Sequence, residues 1–315
     1  MPSYLKKVAI VGATGNIGHH ILTELLALGN HSITALTRPT STISLPSAVI
    51  IAKVDYSNIE NLTKALQGHD ILIITLSVGT PPHVHSNLVS AAAAAGIKYI
   101  IPNAYGFDFR NPALIASIDV SGLAQGYFSQ IEKLGMMHFS LVCGFWYEWS
   151  LGVPSLYGID LQTKRAVFYD DGNTAINTST WELCGKAVAN IVSLPEQELE
   201  EKWKNKSFYV SSFRVSQREM LDSVHRVLGT SDEDWEIEHE SAKRRYEESM
   251  QAVKNGDQRA FAKAMYARCF YTDGSGDFES SHGLDNEALG LASEDLDQAT
   301  KRTVEMVESG WNPFA

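Results

Sequence analysis

The first half of the chain alternates between short apolar runs and longer segments in which apolar residues recur at helical spacing. Apolar runs begin near residues 8, 32, 49, 70, 97 and 137, and amphipathic segments separate most of them. In the first such segment, Ile17, Ile21, Leu25 and Leu28 fall on one helical face. Buried strands that alternate with amphipathic helices predict an α/β protein built on a Rossmann-type, doubly wound parallel sheet.

Beyond residue 150 this rhythm becomes irregular. The pattern predicts strands at 165–169 and 208–212, a hairpin turn at 170–173, and helices at 180–194, 217–228, 240–255, 259–271 and 294–308. No internal repeat or low-complexity linker separates the halves. We therefore expect a Rossmann domain at 1–150 and a smaller C-terminal α+β lobe at 151–315, packed on it and with segments that return to it.

Three glycines follow the first strand at a spacing of three. Gly12 permits a sharp turn, Gly15 lets the main chain approach a ligand, and Gly18 brings the first helix close to the strand. The free N–H groups of a helix N-terminus bind phosphate. Strand, glycine turn and helix in this order predict a dinucleotide site, whereas glycines alone would also fit a turn that binds nothing.

The end of the second strand indicates which dinucleotide is bound. An acidic residue there holds the ribose diol of NAD, and a cation accommodates the 2′-phosphate of NADP. This chain has Thr37 and Arg38 at that point and no carboxylate before Asp55. The pattern favours NADP(H), although an arginine here could also be an ordinary surface residue. Asp55 is expected either near the adenine or as a cap at the end of its strand.

Two further loops lie where the carboxyl ends of parallel strands should meet the nicotinamide. Ser77, Val78 and Gly79 form a small-residue loop after the fourth strand, and Asn103 begins the loop after the fifth. His83 and His85 stand two residues apart and do not share a helical face, so no metal site is expected. His85 is interpreted as a packed or hydrogen-bonding residue that faces the cofactor.

Composition narrows the classes of partner. The 315 residues carry 26 Lys and Arg against 37 Asp and Glu, a net charge of −11, which argues against a nucleic-acid or anionic-membrane surface. The three cysteines are widely spaced, and no stretch is long and apolar enough to span a membrane. These features predict a cytoplasmic protein with no nucleic-acid or membrane partner; they do not predict its oligomeric state.

Three segments together resemble the NmrA-like and isoflavone-reductase-like branch of the atypical short-chain dehydrogenases, especially its fungal members. They are GATGNIG at 12–18, AAAAAGIKYIIPNAYG at 91–106 and VFYDDGNTAINTSTWELCGKAVANIVSLP at 167–195. The resemblance implies an NADPH-binding fold with substrate held between the sheet edge and the C-terminal lobe. It also implies that Arg38 contacts the 2′-phosphate. By the same resemblance, the pyrophosphate contacts are Gly12, Thr14, Gly15, Asn16, Ile17 and Gly18.

The chain departs from the reductases of this branch at the lysine that they carry early in the helix after the aromatic-Gly loop. No lysine occurs between Arg110 and Lys133, and Ala124 or Gly126 stands near the usual place. Hydride delivery to a carbonyl still requires a proton or hydrogen-bond donor. The candidates are Asn103, Tyr105, Asp108, His138, Trp146 and Tyr147.

Tyr105 is our first choice, because a phenol at the carboxyl end of a strand can donate directly, and Tyr147 is the second. Either could instead be a packed aromatic. The aromatic residues Tyr105, Phe107, Trp146 and Tyr147 are expected to line a substrate pocket, although the aromatic cluster at 145–149 could equally be core.

These features favour an NADPH-dependent reductase that transfers hydride to a carbonyl or conjugated bond of a small aromatic or polyketide-like metabolite. Two alternatives remain open because the lysine is missing. One is an NADP-binding regulator or redox sensor, and the other is a pathway enzyme that catalyses a non-redox step such as cyclisation or dehydration.

Overall fold

A computed structural model describes residues 2–77 and 79–313 of the chain. Its strands are β1 (Lys7–Val11), β2 (Ser32–Thr37), β3 (Val49–Lys53), β4 (Ile71–Ile74), β5 (Tyr99–Ile101), β6 (Tyr105–Gly106), β7 (Met137–Val142), β8 (Phe145–Trp146), β9 (Ile159–Asp160), β10 (Arg165–Tyr169), β11 (Ile176–Ser179), β12 (Lys206–Tyr209), β13 (Phe213–Val215) and β14 (Glu236–Glu240).

Its α-helices are α1 (Asn16–Leu28), α2 (Ile59–Leu66), α3 (Pro82–Ala94), α4 (Pro112–Ser117), α5 (Asp119–Lys133), α6 (Tyr147–Gly152), α7 (Pro154–Tyr157), α8 (Trp181–Val192), α9 (Glu196–Glu198), α10 (Gln217–Leu228), α11 (Ala242–Lys254), α12 (Ala260–Cys269), α13 (Phe278–His282) and α14 (Leu296–Glu308). A π-helical turn spans Leu199–Trp203, and a 3₁₀ turn spans Asp232–Asp234.

The main sheet has the strand order β12-β7-β5-β4-β1-β2-β3, and β6 pairs with β7 beside this path. Neighbouring strands run parallel throughout. The chain progresses outward in one direction from β1 and in the other from β4, so a ligand crevice lies at the carboxyl ends of these two strands. The predicted doubly wound α/β fold is confirmed.

Residues beyond 150 form a smaller lobe and also contribute elements to the Rossmann unit. Helix α8 packs along α1, and a Cβ on Gly185 would lie 2.7 Å from the carbonyl carbon of His20, so only glycine permits that approach. Strand β12 joins the edge of β7 through pairs such as Phe208 with Leu141. Residues beyond 150 therefore supply both a helix and a strand of the Rossmann unit.

The remaining strands form two small sheets, of order β14-β10-β9 and β13-β11-β8. The predicted hairpin at 170–173 is wrong, because β10 and β11 belong to different sheets. Asp170 and Gly172, with φ of 54° and 75°, do make a tight turn, but it sends the chain from one sheet to the other. The helix predicted at 240–255 begins later, after strand β14, where the Ser241 hydroxyl caps α11.

Within the described residues, no helix is long and apolar enough to cross a bilayer. No cluster of three or more His, Cys, Asp or Glu side chains in that part of the chain could hold a metal ion.

Candidate functional site

The glycine turn joins β1 to α1 at the crevice, and its three glycines differ in what surrounds them. Gly12 has a φ of 80°, and a Cβ there would lie 1.9 Å from the Thr75 carbonyl oxygen. A Cβ on Gly18 would lie 2.1 Å from the Gly12 carbonyl oxygen and 2.6 Å from Thr75 Oγ1. These two glycines are therefore required by the packing of β1, α1 and the end of β4 against one another.

Gly15 is the open member of the turn. A Cβ there would meet only the Gly12 carbonyl oxygen, at 3.3 Å. Gly15 is also the N-cap of α1, where no side chain accepts a hydrogen bond from the first turn and no acidic residue lies in that turn. Free helical N–H groups without a competing carboxylate suit a pyrophosphate.

Three residues near Gly15 that the resemblance implies as pyrophosphate contacts differ in exposure. The side chains of Thr14 and Asn16 are exposed beside Gly15, whereas the Ile17 side chain is buried in the core under the main sheet. Ile17 can therefore contribute only its backbone N–H to a ligand.

The end of β2 presents a cation and an orphaned hydroxyl. Arg38 is exposed, and the buried Thr37 Oγ1 has no hydrogen-bond partner among the described residues. The Tyr56 hydroxyl donates to the Leu36 carbonyl oxygen at 2.9 Å. Burial raises the pKa of Tyr56 to about 12, against the opposing effect of the nearby Arg38 charge. This end of the crevice can accept an anionic oxygen.

Asp55 makes local hydrogen bonds of the kind expected of a cap. Its Oδ1 accepts hydrogen bonds from the Ser57 N–H at 2.9 Å and the Ser57 hydroxyl at 2.7 Å. These bonds to Ser57 lower the pKa of Asp55. The carboxylate therefore caps the turn that follows β3.

The loops after β4 and β5 are tied together by Asn103. Its Oδ1 accepts from the Leu76 N–H at 2.9 Å, so the two strand exits keep a fixed separation. Ser77 is exposed and pairs with the Thr80 hydroxyl at 3.0 Å, and Gly79 has open space around it. Val78, the middle residue of the expected nicotinamide loop, lies outside the described residues.

His85 is buried behind Asn103 and packs against α5. Its Nε2 lies 3.3 Å from the Asn103 backbone nitrogen, so it accepts that N–H. The imidazole stacks on the Tyr127 phenol with ring centroids 3.5 Å apart and an interplanar angle of 17°. Burial lowers the pKa of His85 to about 3, so the ring is neutral and Nδ1 carries the proton.

Tyr105 lies at the expected strand exit, but its hydroxyl is turned inward. The oxygen is buried without a hydrogen-bond partner among the described residues, and its ring packs against the core under the main sheet. Burial and the neighbouring Cys143 raise its pKa. In this conformation the hydroxyl does not face the crevice, which favours a packing role.

Tyr147 is committed to the C-terminal lobe. Its side chain is fully buried, and its hydroxyl pairs with Thr300 Oγ1 on α14 at 2.6 Å. Burial raises the pKa of this phenol. The Tyr147 hydroxyl therefore has a structural role, because its hydrogen bond joins α6 to α14.

The four expected pocket aromatics do not converge. Trp146 packs on the main-sheet core with Tyr105, whereas Tyr147 belongs to the core of the lobe. Phe107 alone of the four lines a small cavity between the sheet and the lobe, together with Phe145 and Phe278. That cavity measures about 10 Å³, which is room for about one water molecule.

Two other candidate donors also have local partners. Asp108 is buried, accepts the Arg110 N–H at 2.9 Å and lies 3.4 Å from His282 Nε2. His138 is buried, stacks on Phe128 and pairs with Glu132 at 3.1 Å.

The stack of His85 on Tyr127 was not foreseen from the sequence. Helical spacing alone could place Tyr127 on the same face of α5 as Ala124, three residues earlier. What the sequence could not show is that α3 brings His85 against that face.

Comparison with known proteins adds to this geometry. Residues 12–126 match a protein family described as NAD(P)H-binding. The chain is 27% identical over 301 residues to oxidoreductase aprR of Aspergillus flavus, covering 93% of this chain and 96% of the relative. It is 26% identical over 236 residues to oxidoreductase BOA1 of Botryotinia fuckeliana, covering 71% and 76%.

Solved structures share the fold over nearly the whole chain. Isoflavone reductase superposes with a TM-score of 0.74 at 20% identity, covering 95% of this chain and 99% of that one. AtPrR2, solved with NADP+ and (+)pinoresinol, has a TM-score of 0.76 at 18% identity and covers 96% and 100%. The resemblance to the NmrA-like and isoflavone-reductase-like branch is thus confirmed: the chain has an NAD(P)H-binding segment at 12–126, oxidoreductases among its relatives and the fold of isoflavone reductase.

Proposed function

We propose that this protein is an NADPH-dependent reductase that delivers hydride to a carbonyl or conjugated bond of a small aromatic or polyketide-like molecule. The observation that carries the proposal is the contrast within the glycine turn. Gly12 and Gly18 are closed by packing, while Gly15 leaves open the space in front of the α1 N-terminus. A glycine whose added Cβ would meet a single oxygen, at a helix N-terminus without a cap, is explained by a bound pyrophosphate.

The preference for NADP(H) over NAD(H) rests on the end of β2. A 2′-phosphate would meet the Arg38 guanidinium and the orphaned Thr37 hydroxyl, and both can donate hydrogen bonds to anionic oxygens. Asp55, the first carboxylate after the end of β2, already accepts two hydrogen bonds from Ser57 at its Oδ1. The residues present therefore fit the phosphorylated cofactor.

The aromatic substrate class is supported by the rings between the main sheet and the lobe. Phe107, Phe145 and Phe278 line the small cavity there, and such rings favour a flat apolar ligand. The cavity has room for only about one water molecule, so these rings indicate the chemistry of a substrate wall and do not form a complete pocket.

When bound, the reduced nicotinamide supplies hydride. The chain itself has to hold the phosphates at Gly15, fix the two strand exits through Asn103 and Leu76, exclude water and donate a proton. Developing negative charge on the substrate oxygen is stabilised most where donors are fixed in advance in a dry site.

The proposal is tested by calorimetric titration of the purified chain with NADPH and NADH, followed by NADPH oxidation with quinones, enones and aromatic ketones. We expect NADPH to bind at least about tenfold more tightly than NADH, which corresponds to one charge-assisted contact. Turnover of at least one aromatic acceptor is expected. A protein that binds neither cofactor would overturn the proposal.

A second function, an NADP-binding regulator or redox sensor, is favoured by the closed cavity and the inward-facing Tyr105 hydroxyl. It predicts cofactor binding without turnover of any acceptor. A substrate consumed without NADPH oxidation would instead support the non-redox alternative.

A further inference from the structure

Tyr105, Tyr127 and Tyr147 are among the phenols near the carboxyl edge of the main sheet, and the hydroxyls of two of these three are accounted for by the core. The Tyr105 hydroxyl faces the interior, and the Tyr147 hydroxyl pairs with Thr300. The third, Tyr127, is on α5 and enters the site through its contact with His85.

The direction of α5 aims the Tyr127 side chain at the carboxyl edge. Strand β7 follows α5 and runs parallel to β5, so α5 runs the opposite way and begins at that edge. Helical side chains tilt towards the helix N-terminus. Tyr127 therefore reaches back by about one turn, or about 5 Å, towards the level of Ala124.

The contacts of His85 fix the position of the ring. The imidazole stacks on Tyr127 and accepts the N–H of Asn103, which stands two residues beyond the end of β5. Asn103 in turn accepts the N–H of Leu76 at the exit of β4. Tyr127 is thereby connected, through two hydrogen bonds and one stacked pair, to both loops expected to face the nicotinamide.

From this geometry we propose that the Tyr127 hydroxyl is the proton donor of the reaction and that His85 is the residue that positions it. The inference rests on the proposed reductase function. A neutral His85 is suited to this task because a protonated ring could no longer accept the Asn103 N–H. A phenol holds its proton at neutral pH, and burial raises the pKa of Tyr127 further.

The step balances for a carbonyl substrate. Hydride with its two electrons forms a C–H bond at the carbonyl carbon, and the reduced nicotinamide from which it comes is oxidised. The π electrons of the C=O bond move to oxygen, which takes the proton from Tyr127 Oη. The phenolate that remains is reprotonated by solvent water.

The kinetic test compares Tyr127→Phe with wild type and with Tyr4→Phe, a control on an exposed residue far along the chain. Tyr127→Phe keeps the ring stack and removes only the hydroxyl. We expect kcat to fall by about 10²–10⁴ with the NADPH dissociation constant unchanged within about threefold. Tyr4→Phe should match wild type. An active wild type with an equally active Tyr127→Phe variant would overturn the donor role alone.

A second readout does not depend on turnover. The chain has 12 tyrosines, and in protein labelled with 3-fluorotyrosine the Tyr127 ¹⁹F signal is the one missing from Tyr127→Phe. NADP+ and NADPH carry the same phosphates but differ in nicotinamide charge. If Tyr127 lies at the nicotinamide, its pKa should be about one unit or more lower with NADP+ than with NADPH. Equal pKa values in the two complexes would overturn the placement.

The positioning role of His85 is tested by two variants. His85→Phe keeps an aromatic ring against Tyr127 but loses the acceptor, and His85→Gln keeps an acceptor but loses the ring. If stacking orients the donor, His85→Phe should retain more kcat than His85→Gln, while KM for the acceptor is unchanged in both. The opposite order would overturn this role. A wild type that binds NADPH and reduces nothing would overturn the proposed function and the donor role together.

Discussion

Gly12 and Thr75 approach each other so closely that a single Cβ on Gly12 would lie 1.9 Å from the Thr75 carbonyl oxygen. Thr75 Oγ1 also donates to the Val11 carbonyl oxygen at 2.7 Å, which holds the end of β4 against the end of β1. The floor of the crevice is therefore a packed joint between two strand ends. The neighbouring Gly15 is the more open position, and it is the one that we propose faces the pyrophosphate.

Gly12→Ala should destabilise the fold before it affects binding. The new methyl group would overlap the Thr75 backbone, and the φ of 80° disfavours any side chain. We expect a loss of more than about 3 kcal/mol in the free energy of unfolding, measured by urea denaturation without cofactor. A Gly12→Ala variant as stable as wild type would contradict the close packing of Gly12 against the Thr75 backbone.

Gly15→Val should abolish NADPH binding and leave the stability of the fold nearly unchanged. Only the Gly12 carbonyl oxygen lies near a Cβ at Gly15, so stability without cofactor should stay within about 1 kcal/mol of wild type. The side chain would occupy the space of the pyrophosphate, so NADPH should no longer raise the melting temperature. Thermal melts with and without NADPH check both statements, and a wild-type shift would remove Gly15 from the site.

Arg38→Ala should weaken NADPH binding and leave NADH binding unchanged. Loss of a charge-assisted hydrogen bond to the 2′-phosphate costs about 1.5–3 kcal/mol, or roughly 10- to 150-fold in dissociation constant. Arg259→Ala, another exposed arginine on the lobe, is the matched control. Equal NADPH affinity in wild type and Arg38→Ala would exclude Arg38 from the phosphate site.

Tyr147→Phe separates structural from catalytic roles of this phenol. It removes the 2.6 Å bond to Thr300, whose hydroxyl keeps its 2.8 Å contact with Ser223. We expect a loss of about 1–2 kcal/mol in stability, with kcat within about threefold of wild type. A hundredfold fall in kcat at unchanged stability would return Tyr147 to the list of donors.

His85 should make the protein sensitive to acid. The unfolded ring takes a proton below its ordinary pKa of 6.5, whereas burial keeps the folded ring neutral down to a pKa of about 3. Stability from this residue is therefore complete above pH 6.5 and is lost progressively as the pH falls towards 3. Between pH 6.5 and 4.5 the loss should be about 2–3 kcal/mol.

In His85→Gln this part of the acid sensitivity should disappear. Burial also lowers the pKa values of His20, His31 and His138, so these groups contribute a background that both proteins share. The comparison is made by urea denaturation at pH 6.5 and 4.5. An equal loss of stability in variant and wild type would show that His85 is not buried as described.

The strand, glycine turn and helix at 7–28 were predictable because each element follows from a local pattern. The β1 side chains are buried on both faces, the turn requires glycine at Gly12, and α1 has one apolar face. The same reasoning found the alternation up to β7. Local patterns therefore sufficed for the fold class and for the position of the glycine turn, which we propose holds the phosphates.

The surroundings of the strand exits proposed to face the nicotinamide were less predictable because they depend on contacts between distant segments. Tyr105 stands at a strand exit, yet its ring packs against the core that contains Cys143 and its hydroxyl is buried. Tyr147 finds its partner 153 residues away. Strands of two or three residues, such as β8 and β13, carry too few positions for an alternation to be visible.

Because α8 and β12 come late in the chain but pack on the Rossmann unit, parts of that unit are uncovered during synthesis. When residue 150 leaves the ribosome, the face of α1 against which α8 packs and the outer edge of β7 are both uncovered. The α1 face stays uncovered until Val192, the last residue of α8, has been made, and the β7 edge until Tyr209, the last residue of β12. The nascent protein therefore exposes apolar surface over about forty further residues and an open strand edge over about sixty, and a chaperone can bind during this interval.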